Sequence, residues 1–332
     1  MLALVLGGGN ALGAYHGGVI EALEVAGVEP GWVAGSSIGS VMAALVAGNP
    51  PGRRAGAARE FWRRGASLDG AASWVPESWR KPIHAVSALQ ARALGRPSFY
   101  HLRLSQLLGV ETNPGLYDAT PMRRTLEGLI DLDLMNAGPV RLSVMTVDLE
   151  SGLETAFDTA RERLTLDHIM ASTALIPDFP AVEIGGRAYV DGGLAANVPA
   201  DLVLQEPHEV PLSCFTVDPL PRAAPRPHRL GDASQRQTDL IFACQTERTL
   251  RAMRQLWQAR DGNAPGAVYR LNYPAQPGET ALKGFDFSQS SLDRRWQQGR
   301  SGMDAALGLW RSQPPTAPGL AVHDPVPEPA YA

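Results

Sequence analysis

Apolar residues in the first fifty positions form short runs that alternate with segments of helical periodicity. Leu2–Leu6 is wholly apolar, which is typical of a strand buried on both faces. Residues 14–26 space their apolar side chains as an amphipathic helix does, and Gly27 predicts its end. A second short strand at 32–34 and a helix of small residues at 40–47 repeat this order. The alternation predicts a parallel sheet covered by helices.

The rest of the chain predicts further elements of both kinds. Helices are predicted at 53–64, 120–130, 166–173, 235–260 and 288–310. Strands are predicted at 140–147, 154–157, 182–184, 188–190, 212–217 and 267–271. Residues 70–100 are expected to be irregular or to form a cap over the sheet, and residues 219–229, with four prolines, predict a linker or mobile loop. The Pro- and Ala-rich tail, 313–332, is expected to be disordered.

Composition narrows the classes of protein to consider. The 332 residues, 44% of them hydrophobic, suit two domains or one large domain with an appendage. A formal net charge of −4 argues against a nucleic-acid partner. The two cysteines, Cys214 and Cys244, cannot form a disulfide framework, and no Cys/His cluster has metal-ligand spacing, so we expect no metal site. No cofactor is expected either. No signal peptide or membrane-spanning segment is expected either, which favours a cytoplasmic protein whose membrane contact, if any, is peripheral.

The first candidate for chemistry is the motif Gly35-Ser36-Ser37-Ile38-Gly39, between a predicted strand and a predicted helix. A tight strand-to-helix turn exposes the hydroxyl at its centre and requires small residues on both sides, as in a nucleophile elbow. Ser37 is therefore the candidate nucleophile. Because glycine and serine are common residues, the motif could also be a purely structural turn.

The second candidate is the glycine-rich segment 7–13, again between a strand and a helix. Dinucleotide binding requires glycine at positions i, i+2 and i+5, and neither register fits: Leu12 or Asn10 interrupts it. A phosphate loop would end in Gly-Lys-Ser/Thr, which is absent. The segment can instead direct several backbone N–H groups into one space, as an oxyanion hole requires, or it can simply be a tight turn.

The third candidate is Asp191-Gly192-Gly193, which follows the predicted strand 188–190. A carboxylate at a strand end can face a hydroxyl on a neighbouring turn. An Asp-Gly turn without any catalytic role is the alternative.

Taken together, the three segments resemble the patatin-like phospholipase family, which combines a glycine-rich loop, a Gly-x-Ser-x-Gly serine and an Asp-Gly-Gly/Ala aspartate. The segments 171–180, which resembles the family's approach to the catalytic hairpin, and 197–199 also fit. The resemblance covers about residues 1–205, and the segments 284–288 and 294–296 resemble the C-terminal region of a bacterial subgroup.

The resemblance implies a three-layer α/β/α fold with a mainly parallel central sheet and a C-terminal mixed α/β extension. It implies a catalytic domain over 1–205, an extension packed on it over 206–312, and the tail from 313. It also implies a lipase- or phospholipase A-like serine hydrolase that cleaves acyl esters through a catalytic dyad without histidine.

Carried over residue by residue, the resemblance makes Ser37 the nucleophile and Asp191 the proton acceptor. Gly8, Gly9 and Asn10 become the candidate donors of the oxyanion hole.

One departure from the family pattern concerns the glycine-rich loop. The family commonly has a third glycine where Asn10 stands and Arg or Lys where Leu12 stands. An apolar Leu12 offers no charge-assisted contact to an anionic head group. We therefore expect neutral esters to be cleaved at least as well as phospholipids.

Two other interpretations stay open at this level. An α/β-hydrolase with a Ser–Asp–His triad would need a histidine after Asp191, which leaves His208, His228 and His323. Of these, His208 is expected to be an exposed loop residue, whereas His16 is expected to line the pocket from a helix face. The second open interpretation is a catalytically weak or inactive scaffold that binds acyl lipids.

Overall fold

The computed structural model describes residues 1–67, 77–107, 113–260, 264–274, 276, 279 and 282–326. Its strands are β1 (Leu2–Leu6), β2 (Trp32–Ser36), β3 (Gly95–Arg96), β4 (Tyr100–Leu102), β5 (Tyr117–Asp118), β6 (Arg141–Asp148), β7 (Glu154–Asp158), β8 (Val182–Ile184), β9 (Arg187–Asp191), β10 (Leu212–Asp218), β11 (Gly266–Asn272) and β12 (Leu320–His323). Its α-helices are α1 (Ala14–Val25), α2 (Ile38–Ala47), α3 (Arg54–Gly65), α4 (Glu77–Leu94), α5 (Leu104–Leu107), α6 (Thr120–Glu127), α7 (Leu132–Ala137), α8 (Leu166–Ser172), α9 (Asp201–Leu204), α10 (Leu230–Ala259) and α11 (Gln289–Ser312).

A mainly parallel sheet is the centre of the fold. Within the described residues it has nine strands, and β12, β11, β10, β1, β2 and β6 pair in parallel in that order. The antiparallel strands β7, β8 and β9 complete it beside β6. The predicted α/β fold with a mainly parallel sheet is confirmed.

Helices cover both faces of this sheet, as alternate residues of β1 show. Leu4 and Leu6 belong to the larger apolar core, which α1, α2 and α11 cover. Ala3 and Val5 belong to a second core, which α9 and α10 cover. Because successive side chains of a strand point to opposite faces, one apolar run serves both cores, and three layers result.

The C-terminal half adds strands to the same sheet. β10 pairs with β1, β11 pairs with β10, and β12 pairs with β11. The expected disorder of 313–332 is wrong for the part that forms β12, because residues 320–323 complete the edge of the sheet; residues 327–332 lie outside the described residues. The division at 205 stays a prediction.

The segment 70–100, expected to be irregular or a cap, contains α4. Residues 68–76 lie outside the described part. None of the helices in the described residues is long and apolar enough to cross a bilayer.

Candidate active site

The register of strand β6 explains how Ser37 and Asp191 come together. β6 pairs with β2 up to Met145, opposite Ser36, and with β9 from Thr146, opposite Asp191. Strand β7 occupies the other edge of β6 over both stretches, so β2 and β9 lie end to end along one edge. The chain therefore leaves β2 at the point where β9 ends, and residues 154 positions apart in sequence become neighbours.

Ser37 lies in a strained turn between β2 and α2. Its φ of 55° and ψ of −130° place a non-glycine residue in a sparsely populated region, as expected of a nucleophile held outward. A Cβ on Gly39 would lie 2.0 Å from the Leu6 carbonyl oxygen, and one on Gly35 would lie 2.4 Å from the Gly39 carbonyl carbon. Both glycines of the motif are therefore required by close backbone contact.

A second serine supports this turn. The Ser37 backbone N–H donates to Ser172 Oγ at 3.0 Å, and Ser172 Oγ donates to the Met145 carbonyl at 2.7 Å. The elbow is thus tied to α8 and β6. Ser172 belongs to the segment 171–180 noted in the sequence, but nothing in its residue pattern indicated this contact.

Asp191 is buried and faces Ser37. Only 2% of its surface is exposed, and the Gly193 N–H donates to its Oδ1 at 2.7 Å. Burial raises the pKa of Asp191 from 3.8 to about 7, and the Ser37 hydroxyl and the Gly193 N–H, which both stabilise the carboxylate, oppose this rise only in part. A carboxylate with such a pKa is a stronger base than an ordinary aspartate.

The glycine-rich loop lies beside Ser37. A Cβ on Gly8 would lie 3.0 Å from Ser37 Cβ. The Gly8 N–H donates to the Asn197 carbonyl at 3.1 Å, so it is not free to bind an oxyanion, contrary to the expectation for this residue. Among the described residues no hydrogen-bond partner is present for the N–H groups of Gly9 and Asn10, and both residues line the cavity.

Asn197 is a buried residue that joins the two halves of the site. Its Nδ2 donates to the Gly8 carbonyl at 3.3 Å, and its own N–H donates to Gln245 Oε1 at 3.0 Å. The sequence placed Asn197 in a matching motif but gave it no function. Here it fixes the glycine-rich loop against the segment that follows Asp191.

The cavity above Ser37 and Asp191 has a volume of about 320 Å³. Its wall is rich in aromatic side chains, among them Trp62, Phe99, Tyr100, Phe179, Phe285 and Phe287. Several of these rings contact one another, with Phe99 and Phe287 at the centre of the cluster. The cavity is therefore suited to an apolar ligand.

Apart from Asp191, the charged side chains at the described cavity wall are paired. Asp178 accepts from Arg92 at 2.7 Å, and the Lys283 ammonium lies 2.7 Å from a carboxylate oxygen of Asp239. Leu12 lines the cavity and is buried. The described wall thus offers no uncompensated cation to a ligand.

The arginines of α3 do not line the cavity either. Within the described residues Arg54 pairs with Glu29, Arg59 pairs with Glu21, and both Arg63 and Arg64 pair with Glu60.

None of the cavity-lining residues in the described part is a histidine. His16 is fully buried in α1 rather than lining the pocket, and burial lowers its pKa to about 3. His208 is also buried, against expectation, and its Nε2 pairs with the Val203 carbonyl while the ring stacks on Trp257. The positions of these residues give no support to a Ser–Asp–His triad.

A serine in a strand-to-helix turn, a buried carboxyl and a glycine-rich loop therefore lie together at one cavity. The family model Patatin-like phospholipase matches residues 4–204, and a second model, Patatin phospholipase, matches residues 227–316. The chain belongs to the patatin-like phospholipase family, whose members are hydrolases that act on ester bonds.

The chain spans only a small part of the length of the curated relatives that it matches. Patatin-like phospholipase domain-containing protein 6 of Homo sapiens and that of Mus musculus are each 59% identical to it over 46 residues. This stretch is 14% of this chain and 3% of each relative. Among solved structures, VipD from Legionella pneumophila aligns over 92% of this chain and 66% of its own, with a TM-score of 0.43 and 13% identity.

Proposed function

We propose that this protein hydrolyses neutral carboxylic esters of acyl chains, with Ser37 as nucleophile and Asp191 as proton acceptor. The observation that carries the proposal is that Ser37 and the buried Asp191 line the same apolar cavity and interact there, with the Asp191 pKa raised to about 7. Such a pKa suits a general base that works near neutral pH.

The proposed reaction has two steps. Asp191 takes the proton of Ser37 Oγ as this oxygen attacks the ester carbonyl, and the alcohol leaves with a proton that Asp191 returns. A water molecule, deprotonated by the same carboxylate, then attacks the acyl-enzyme, and Ser37 leaves as the hydroxyl. In both steps the N–H groups of Gly9 and Asn10 hold the oxyanion, and the positive end of α2 favours the same negative charge.

The acyl chain is assigned to the aromatic part of the cavity. Burial of each methylene group contributes about 0.8 kcal/mol, which corresponds to a factor of about four in kcat/KM. A series of p-nitrophenyl esters of increasing chain length should therefore show this increase per methylene until the cavity is full. A flat series would contradict the assignment.

The preference for a neutral alcohol rests on the paired charges of the wall and on Leu12. We expect neutral glycerides and p-nitrophenyl esters to be cleaved at least as fast as phospholipids, and Leu12→Arg to shift the preference towards anionic substrates. Leu12→Met, which conserves volume and adds no charge, is the matched control. A wild-type protein that strongly prefers phospholipid would overturn this part of the proposal.

A fluorophosphonate probe tests whether Ser37 is a reactive nucleophile, on which the whole proposal depends. Wild-type protein should be labelled at Ser37, and the label should be absent from Ser37→Ala. A folded wild-type protein that is neither labelled nor active on any ester would instead favour a scaffold that binds lipid.

A further inference from the structure

A buried arginine from the C-terminal half contacts the glycine-rich loop. Arg295 lies on α11 and is 0% exposed. Its Nη1 donates to the Ala11 carbonyl at 3.3 Å and to the Asp286 carbonyl at 2.8 Å, and its Nη2 donates to the Lys283 carbonyl at 3.0 Å. Ala11 belongs to the 3-10 turn that begins directly after Gly9. One guanidinium therefore connects the loop with the turn 283–286.

That turn is part of the cavity wall and touches the loop directly. Lys283, Gly284 and Phe285 all line the cavity. A Cβ on Gly284 would lie 3.8 Å from both the Gly9 carbonyl oxygen and Asn10 Cβ. The guanidinium thus holds two neighbouring parts of the wall, one of which supplies the proposed oxyanion donors.

The planar group of an arginine makes these contacts from two separate nitrogens. Three carbonyl oxygens from separate residues accept from the two nitrogens of one fork, whereas a lysine would offer its three N–H donors from a single nitrogen. The nearest carboxylate oxygens, of Glu279 and Asp286, lie at 3.5 and 3.9 Å. No charged side chain occurs between residues 7 and 13, so the loop itself has no ion pair to fix it.

The backbone of α11 lies in close contact with that of α1, the helix that continues from the loop. A Cβ on Gly18 would lie 1.8 Å from the Trp296 carbonyl oxygen, and one on Gly299 would lie 1.9 Å from the Tyr15 carbonyl oxygen. The two helices therefore touch through their backbones immediately beside Arg295. This contact gives the guanidinium a fixed position relative to the loop.

We propose that Arg295 is a positioning residue for the reaction. It holds the loop 7–13 so that the N–H groups of Gly9 and Asn10 stay directed at the oxyanion, and the proposal rests on the hydrolase function proposed above. Preorganised donors stabilise a transition state only when their placement is accurate to a fraction of an ångström, and a shift of about 1 Å can cost about a hundredfold in rate.

The test compares Arg295→Lys and Arg295→Met with the wild-type protein. Arg295→Lys keeps the charge and most of the volume but loses the fork. We expect its kcat for a p-nitrophenyl ester to fall at least about tenfold with KM within about threefold, because the loop acts on the transition state rather than on substrate binding. The kcat of Arg295→Met should fall further than that of Arg295→Lys. The apparent pKa in the pH dependence of kcat/KM should be unchanged, since Arg295 does not contact Asp191.

Hydrogen exchange gives a readout that does not depend on activity. The Leu12 N–H donates to the Gly9 carbonyl at 3.1 Å within the loop. Its exchange should become faster in both variants, even if the protein proves not to be an esterase, so that failure of the two proposals can be told apart.

Arg300→Met is the matched control, because Arg300 lies on the same helix but faces Glu21, at 3.8 Å. It should leave kcat and loop exchange unchanged. The proposal is overturned if Arg295→Lys keeps wild-type kcat and loop exchange, if its loss is in KM alone, or if Arg300→Met has the same effect. Failure of Arg295→Lys to fold would assign the residue to core stability and would overturn it as well.

Discussion

Replacing Asp191 by Asn separates the catalytic role of this carboxyl from its effect on the stability of the fold. The pKa of Asp191 is raised from 3.8 to about 7, chiefly by burial. Between these pH values the folded state holds a proton that the unfolded chain has already lost. The free energy of unfolding therefore falls as the pH rises through this window, by up to about 1.4 kcal/mol for each pH unit. Above pH 7 the total is at most about 4 kcal/mol.

Asp191→Asn removes this ionisation while keeping the shape of the side chain and an oxygen for the Gly193 N–H. We expect its Tm at pH 8 to exceed that of the wild-type protein by several degrees, and the difference to shrink towards pH 4. Its esterase activity at pH 8 should be at least about a hundredfold lower, since the proton acceptor is gone. The wild-type kcat/KM should fall about tenfold for each pH unit below about 7.

Asp201→Asn is the matched control for the stability measurement. Burial, together with the nearby Glu154, raises the pKa of Asp201 to about 6, and this residue lies on α9, outside the cavity lining. It should show a smaller gain in Tm at pH 8 and no loss of activity. The reasoning about Asp191 fails if the wild-type profile turns near pH 4, or if Asp191→Asn keeps more than about a tenth of the activity.

Two further predictions concern the hydroxyl and imidazole groups. Ser37→Ala should abolish turnover and fluorophosphonate labelling. Ser36→Ala should keep both, because Ser36 Oγ is buried inside β2 without a partner among the described residues. An inactive Ser36→Ala would show that the motif has been assigned in the wrong register. His16→Ala, His208→Ala and the corresponding variant of His168, a buried residue of α8, should each keep activity within about tenfold of wild type at a temperature where they are folded. Loss of a true acid–base group would instead cost about 10²–10⁴-fold. A collapse in His208→Ala alone would restore the triad mechanism.

The elements that the sequence predicted correctly are those whose signal is local. Leu2–Leu6 is apolar throughout because both faces of β1 are buried. The strands predicted at 182–184 and 188–190 are present as β8 and β9, and the glycines between them, Gly185 and Gly186, have the positive φ that a short hairpin requires. β12 was missed because only four residues, 320–323, pair with a strand some fifty positions earlier, and the prolines around them suggested disorder. α4 was missed for a similar reason, since tryptophan, proline and serine at its start conceal an amphipathic pattern.

The same distinction applies within the site. Ser37 and Asp191 each follow a strand and precede glycines, so short motifs sufficed to select them as candidates, although their proximity depends on the register along β6.

The sequence could not show which way each peptide group of the glycine-rich loop faces. The Asn197 carbonyl decides this for Gly8 by accepting its N–H, whereas the N–H groups of Gly9 and Asn10 have no hydrogen-bond partner within the described residues. Arg295 is separated from Ala11 by 284 residues, and no periodicity connects an arginine on a late helix with a carbonyl in the first loop. Contacts of this kind depend on the close backbone approach between α1 and α11. Glycines allow such an approach, but their positions in the sequence do not predict which two helices will pack together. The placement of the proposed oxyanion donors is therefore a property of the whole sheet and its helices, including the C-terminal half, rather than of the short motifs that mark the site.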